Sequence, residues 1–247
     1  QVNQFSGRSV ACVDRFGTGD YGVFVANYGG PMKIFEVTDN QITDVGSAAG
    51  INLTTGGRAL LSLPIFDGGM HIFAGNEQGA NFLFRNDGDG SFTNVAQEVG
   101  IQDSYETVRG TTTLDIDDDG DFDLVYGNWE GPHRMWSWNG ATFDDVTPET
   151  MQIPSRIRTI IAADFDNDGY GDIALGWFNP KISHRFGFSN NSSGVVYFND
   201  GNNNWTIRQH VELPANFFGS NGNANDMEVL DFNNDGLVSG GSAYQLF

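Results

Sequence analysis

A nine-residue acidic loop occurs twice in this chain, with starts 49 residues apart. The first copy is Asp115-Ile116-Asp117-Asp118-Asp119-Gly120-Asp121-Phe122-Asp123, and the second is Asp164-Phe165-Asp166-Asn167-Asp168-Gly169-Tyr170-Gly171-Asp172. Both read D-x-D-x-D-G-x-x-D. Calcium takes six to eight hard oxygen ligands at roughly 2.3–2.6 Å, and carboxylates at alternate positions of a tight loop can converge on one such ion. Without a cation, carboxylates this close repel one another. The pattern therefore predicts calcium ligation by Asp115, Asp117, Asp119 and Asp123, with the backbone carbonyl of Asp121. In the second copy the ligands are Asp164, Asp166, Asp168 and Asp172, with the carbonyl of Tyr170. Glycine at position six permits the sharp turn. An EF-hand loop starts the same way but needs a bidentate Glu at position twelve and flanking helices. Here position twelve is Tyr126 or Leu175, and the flanks Leu124-Val125-Tyr126 and Ile173-Ala174-Leu175 read as strand. An Asp-rich surface turn without an ion would explain one copy; two copies in register favour ligands.

The loop is the centre of a longer repeat, and fixed periods carry the fold. Arg109 and Arg158 each stand six residues before the first Asp of a loop. Arg8 stands six before Asp14, and Arg58 opens another unit, so successive Arg spacings are 50, 51 and 49. Ile42-Thr43-Asp44-Val45, Phe92-Thr93-Asn94-Val95 and Phe143-Asp144-Asp145-Val146 recur at spacings of 50 and 51. Asn27, Asn76 and Asn128 mark a third recurring point, each before a glycine-bearing loop. The units parse as about 8–51, 57–101, 109–153, 158–213 and a partial 225–247. Each full unit holds four short apolar or alternating runs; in the third these are roughly 110–115, 122–128, 133–138 and 142–146. Short strands with regular turn signals indicate an all-β protein, and about four strands per 50 residues matches one blade of a β-propeller. The expected fold is all-β: four-stranded antiparallel blades, four full and a partial fifth, in a single domain spanning 1–247. No segment sustains 3.6-residue apolar periodicity. The 24 Asp against 8 Glu and the 33 Gly suit turns, not helices.

The acidic loops resemble the FG-GAP/VCBS repeats of integrin-α-type propellers. Three longer phrases resemble the cartilage acidic protein family: Gly7-Arg8-Ser9-Val10-Ala11-Cys12-Val13-Asp14-Arg15, Ala80-Asn81-Phe82-Leu83-Phe84-Arg85-Asn86-Asp87-Gly88-Asp89-Gly90-Ser91-Phe92, and Asp123-Leu124-Val125-Tyr126-Gly127-Asn128-Trp129 running on to Gly131-Pro132-His133-Arg134. The likeness covers most of 7–235. It implies a secreted or extracellular propeller of about seven blades that binds calcium and protein partners and has no established catalysis. The chain departs from the pattern in places. Its last loop, Asp231-Phe232-Asn233-Asn234-Asp235-Gly236-Leu237-Val238-Ser239, keeps Asp231, Asn233, Asp235 and the Leu237 carbonyl but ends in Ser. The first unit keeps Asp14 but has Phe16 and Thr18 where acids would sit, and the second has Pro64 in place of the first Asp. Two complete calcium sites, a partial third and two blades without one are expected. Four and a half blades read as the middle of a longer protein or a shortened relative, with self-association through the incomplete blade as a further expectation.

Composition excludes other classes. Twelve basic and 32 acidic residues give a formal charge of −20, a surface that repels nucleic acid and anionic membrane. No run of 18 apolar residues exists to span a bilayer. The lone Cys12 rules out an internal disulfide and a multi-cysteine zinc site; in its apolar run it reads as a buried structural thiol. Sequons at Asn52, Asn190, Asn191 and Asn204 are compatible with a secreted glycoprotein. The histidines His71, His133, His184 and His210 are scattered, and no H-E-x-x-H, G-x-S-x-G or phosphate-cradling glycine loop occurs. The chain is read as a non-enzyme, although some polysaccharide-active enzymes resemble this repeat family.

Strand direction narrows the partner surface. The acidic loop joins the first and second strands of a unit. The second-to-third-strand loop and the start of the first strand, where Arg8, Arg58, Arg109 and Arg158 stand, then share the opposite end. Those loops include Trp129 and Trp177, and aromatics and Arg are favoured interface anchors. This end is expected to contact an extracellular protein or a glycan. The competing reading has each Arg bonding carbonyls or carboxylates within the protein, with the Trp rings packed among them.

Overall fold

The computed structural model of the protein describes residues 6–77, 79–177, 185–187, 194–202, 204–209 and 229. The period-two runs form antiparallel strands. In chain order these begin with β1 (Gly7–Val13), β2 (Gly22–Asn27), β3 (Gly30–Pro31), β4 (Lys33–Thr38), β5 (Gln41–Asp44) and β6 (Thr54–Thr55). Strands β1-β2-β4-β5 make one four-stranded sheet, while β3 and β6 pair separately. The next four, β7 (Ala59–Leu63), β8 (His71–Gly75), β9 (Phe82–Asn86) and β10 (Phe92–Asn94), make a second four-stranded sheet in the order β10-β9-β8-β7.

The third and fourth units were expected to form separate sheets. Instead β11 (Val108–Leu114), β12 (Asp123–Gly131), β13 (Arg134–Trp138), β14 (Phe143–Asp145), β15 (Ser155–Ala163), β16 (Asp172–Trp177), β17 (Gly194–Asn199) and β18 (Trp205–Gln209) are joined in one eight-stranded sheet. The physical reason is the length of β12. It runs past Asn128, so that Trp129 and Gly131 pair with Arg156 and Ser155 of β15. A single turn of 3-10 helix, Glu149–Gln152, precedes β15. Of the partial fifth unit, only Val229 is among the described residues.

The chain divides into two compact units: Gln1–Arg109 with Trp138–Asp144, and Gly110–Ser137 with Asp145–Phe247. In the first, one face of the first sheet (Val13, Phe24, Ala26, Ile34) packs against one face of the second (Leu60, Ile72, Ala74, Phe84). In the second unit, Leu114, Ile116, Val125 and Met135 pack against Ile157, Ile173, Leu175 and Val195. Each of these side chains larger than alanine contributes about 1.5–3 kcal/mol on leaving water. Trp177 belongs to the second core. It is fully buried and stacks on Phe186 at 4.8 Å between ring centroids. That corrects its expected place on a partner-facing surface. Its register explains the change, because Trp177 stands five residues after Asp172, as the buried Asn128 stands five after Asp123. Cys12 is likewise corrected: it is exposed on β1, because strand alternation turns it away from the face that carries Val13 into the core.

Candidate metal centres

Both acidic loops close on their own first aspartate. Asp115 accepts the N–H groups of Asp119 (3.1 Å) and Gly120 (2.9 Å). Asp164 accepts those of Asp168 (3.1 Å) and Gly169 (2.9 Å). Position five accepts in turn from position seven, Asp121 to Asp119 (2.9 Å) and Tyr170 to Asp168 (3.0 Å). The turn demands positive φ at position four, met by Asp118 (59°) and Asn167 (60°), and at position six, met by Gly120 (93°) and Gly169 (99°). Asn and Asp tolerate that region and glycine enters it freely.

The ninth residue is buried in each. Asp123 and Asp172 have no exposed surface, and each accepts the N–H of position two, Ile116 or Phe165, at 2.7 Å. Asp172 also accepts the Asn199 N–H at 2.9 Å. Burial pushes its carboxyl up to about 6 against the pull of those two donors, and the charges of Asp166 and Asp168 add to the rise.

The carboxylates converge as a ligand set does. Oxygens of Asp115, Asp117 and Asp119 lie within 4.8 Å of one another, as do those of Asp164, Asp166 and Asp172. One oxygen of Asp117 accepts the Ser137 hydroxyl at 2.8 Å; the other is buried with no hydrogen-bond partner. A buried carboxylate oxygen left without a donor carries a large desolvation cost, and a cation satisfies it. The residues present therefore fit a hard divalent ion held by oxygen. Asp123 and Asp168 fall outside their three-carboxylate clusters, occupied with backbone N–H groups in the contacts above. The weaker third loop, Asp231, Asn233, Asp235 and Leu237, lies outside the described residues.

The first two units keep the turn and replace the acids. Asp14 accepts the N–H groups of Thr18 (3.1 Å) and Gly19 (2.7 Å), the same offsets as in the acidic loops, and the Gly19 donor above all holds its carboxyl below the usual range. In the second unit, whose loop is one residue shorter counted from Pro64, His71 takes the place of the ninth residue, five residues before Asn76 as Asp123 stands five before Asn128. Its Nδ1 accepts the Asn86 N–H (3.0 Å), and its Nε2 lies 3.0 Å from an Asp67 oxygen. Burial lowers the His71 pKa despite Asp67, so a neutral ring donating to Asp67 closes this loop.

At the opposite end of the strands, the recurring asparagines each donate from Nδ2 to the carbonyl four residues on: Asn27 to Pro31 (3.1 Å), Asn76 to Ala80 (3.2 Å) and Asn128 to Pro132 (2.6 Å). The sequence marked these positions without showing that role. The residue after each asparagine receives arginine. Arg8 lies 3.9 Å over the Tyr28 ring. Glu77 pairs with both Arg58 and Arg109, the latter at 2.8 Å. Arg158 and Arg156 lie 4.9 and 5.5 Å from the Trp129 ring centre, and Arg156 also donates to Glu130 at 2.6 Å. His133, fully buried between the Asn128 N–H (3.0 Å) and the Ser155 hydroxyl (2.7 Å), has its pKa pushed down to about 3 by burial. No helix among the described residues is long and apolar enough to cross a membrane.

The family description FG-GAP-like repeat matches residues 66–126 and 115–175, a span that takes in both acidic loops. With its four-stranded antiparallel repeats, the chain belongs to the FG-GAP-repeat class of β proteins. It is 37% identical over 258 residues to Cartilage acidic protein 1 of Xenopus tropicalis, covering 96% of this chain and 38% of that protein. It is 36% identical over 252 residues to Cartilage acidic protein 1 of Homo sapiens, covering 95% and 37%. Within that class the chain is a member of the cartilage acidic protein family, and it spans well under half the length of these relatives. A chain in the crystal structure of BBS1N in complex with ARL6DN, soaked with lead, superposes with a TM-score of 0.50 at 14% identity, covering 84% of this chain and 59% of that one. At that identity the likeness concerns the fold alone.

Proposed function

We propose that this chain is part of a calcium-stabilised extracellular β-propeller that serves as a protein-interaction module, with calcium structural and not catalytic. The observation that carries the reading is the pair of three-carboxylate clusters in equivalent loops, one with a buried oxygen of Asp117 that lacks a donor. Hard oxygen ligands suit calcium over softer metals. The ion pins the turn between the first two strands of the third and fourth repeats and neutralises the repulsion there.

Extracellular calcium modules bind with Kd near 10⁻⁴–10⁻³ M. At tenfold excess over Kd, one site adds about 1.4 kcal/mol by mass action. The test is thermal melting in chelator and in millimolar calcium. The melting temperature is expected to fall in chelator and recover with calcium; identical curves in both would sink the calcium reading.

For the partner, the half-buried Trp129 with Arg156 and Arg158 is the strongest candidate surface. Both guanidinium groups lie over the indole, where a sugar would need a bare ring face, and this favours a protein partner over a glycan.

A further inference from the structure

Glu130 stands where the backbone asks for glycine. Across β12 and β15, Trp129 pairs with Arg156 and Gly131 with Ser155, which leaves Glu130 as the extra residue of a bulge. Its φ is 65°, in the left-handed region. A bulge of this kind takes glycine there, because a Cβ is crowded in that conformation. The first repeat has the relaxed version. Asn27-Tyr28-Gly29-Gly30-Pro31 aligns residue for residue with Asn128-Trp129-Glu130-Gly131-Pro132, and Gly29 has a φ of 73°. In the third repeat a long charged side chain is held at a backbone position that penalises it.

The ion pair that Glu130 makes does not offset that penalty. Arg156 donates from Nε to Glu130 Oε1 at 2.6 Å and reaches the same oxygen with Nη2. Both side chains stay open to solvent, Arg156 at 42% and Glu130 at 55%. Exposed pairs add little to stability, because water screens them and two long side chains lose freedom. What the bulge supplies is direction. Bulges re-aim side chains, and this one aims a carboxylate at a guanidinium that lies over the Trp129 ring. Arg158 lies over the same ring at 4.9 Å. Two positive charges and one negative thus meet at one indole, on a chain whose net charge is −20. With the Glu130 carboxylate removed, Arg156 presents a planar fork of N–H donors that matches a carboxylate. The first repeat has the same arrangement without an acid: exposed Arg8 lies 3.9 Å over the Tyr28 ring, and Gly29 stands where Glu130 would.

We infer that the Arg156 guanidinium, over Trp129 and beside Arg158, receives an acidic side chain of a protein partner, and that Glu130 is an internal carboxylate occupying that place until the partner displaces it. The inference rests on the proposal above that this end of the strands meets a protein. A lone carboxylate must compete with one already in position, so a partner that also contacts the indole is favoured over a stray acid. The device gives up affinity for selectivity. The 32 acidic residues against 12 basic repel a long sulfated chain, which leaves a short acidic segment as the fitting ligand.

The probe is a tetraglutamate peptide with blocked ends. It is titrated at constant calcium into the parent chain and into Glu130→Gly, Glu130→Gln and Arg156→Ala, with binding followed by NMR at the Trp129 indole N–H, assigned with Trp129→Phe. Glu130→Gly and Glu130→Gln are expected to bind about threefold or more tighter than the parent, because an occupant of the site is gone. Arg156→Ala is expected to lose the response, and the gain should shrink at high salt. Glu130→Gly should melt at or above the parent's temperature, since glycine suits that φ. Equal or weaker binding by both Glu130 variants, or no binding by any chain, overturns the inference. So does a lower melting temperature for Glu130→Gly, which would make the carboxylate a structural tie. Tighter binding of a heparin tetrasaccharide than of tetraglutamate by the Glu130 variants also overturns it and assigns the site to sulfate. Failure of the protein-partner reading has a separate signature: Trp129→Ala then leaves partner capture unchanged, whatever tetraglutamate does.

Discussion

Asp172 is the residue whose chemistry most directly sets how the acidic loop behaves. It is fully buried, its carboxyl is pushed up to about 6, and a metal ligand must be ionised. Calcium affinity at the fourth repeat is therefore expected to fall as pH drops through 6, and binding near that pH should release protons. Calorimetry at pH 5.5 and 7.5 in buffers of different ionisation enthalpy checks both. In the metal-free protein the sign reverses. A carboxyl with a raised folded pKa contributes stability at low pH that is lost as pH rises from the ordinary carboxylate range through 6. The partner surface is also a residue-scale question. Trp129→Ala should weaken partner binding about tenfold or more, as loss of an aromatic anchor does, with calcium content unchanged; equal binding by pull-down removes Trp129 from the interface. Trp177→Ala belongs to the core and reports only on folding.

At the scale of strands and loops, close backbone approach leaves glycine no substitute. A Cβ at Gly110 of β11 would lie 2.8–3.0 Å from the backbone of Thr159 and Ile160 in β15. Gly110→Ala is expected to destabilise the second unit by about 1–3 kcal/mol, read as an earlier urea midpoint. Much of this level was legible in the sequence. The acidic loops, the four-strand repeat and the 50-residue period all follow from local chemistry: carboxylates capping their own turn, strand alternation, glycine at positive φ. What was not legible depends on contacts distant in sequence. The fusion of the third and fourth sheets follows from three extra residues of β12 meeting β15. Cys12 sits in an apolar run, yet which face of that run is covered is decided by another sheet. Trp177 looked like a loop aromatic because its register with Asn27, Asn76 and Asn128 shows only after the loops are aligned. His71 closing the second loop could have been found the same way, since it stands five residues before Asn76, as Asp123 stands before Asn128.

At the scale of the whole molecule, repeats that look modular are tied together through their loops. Asn86, at the end of the third strand of the second repeat, donates to the Asp14 carbonyl in the first repeat's loop at 3.2 Å; Asn199 of the fourth repeat donates to the Ile116 carbonyl in the third's at 3.1 Å. Asn199 has a second attachment, its own N–H held by Asp172. One residue thus grips both acidic loops, by its side chain on one and its backbone on the other. An ion that stiffens either loop orders Asn199, and the other loop then has less freedom left to lose. Thermodynamic linkage makes the coupling reciprocal. The two loops should fill as one steep event with a Hill coefficient above one, and Asn199→Ala should flatten the titration towards two independent sites while leaving every carboxylate in place.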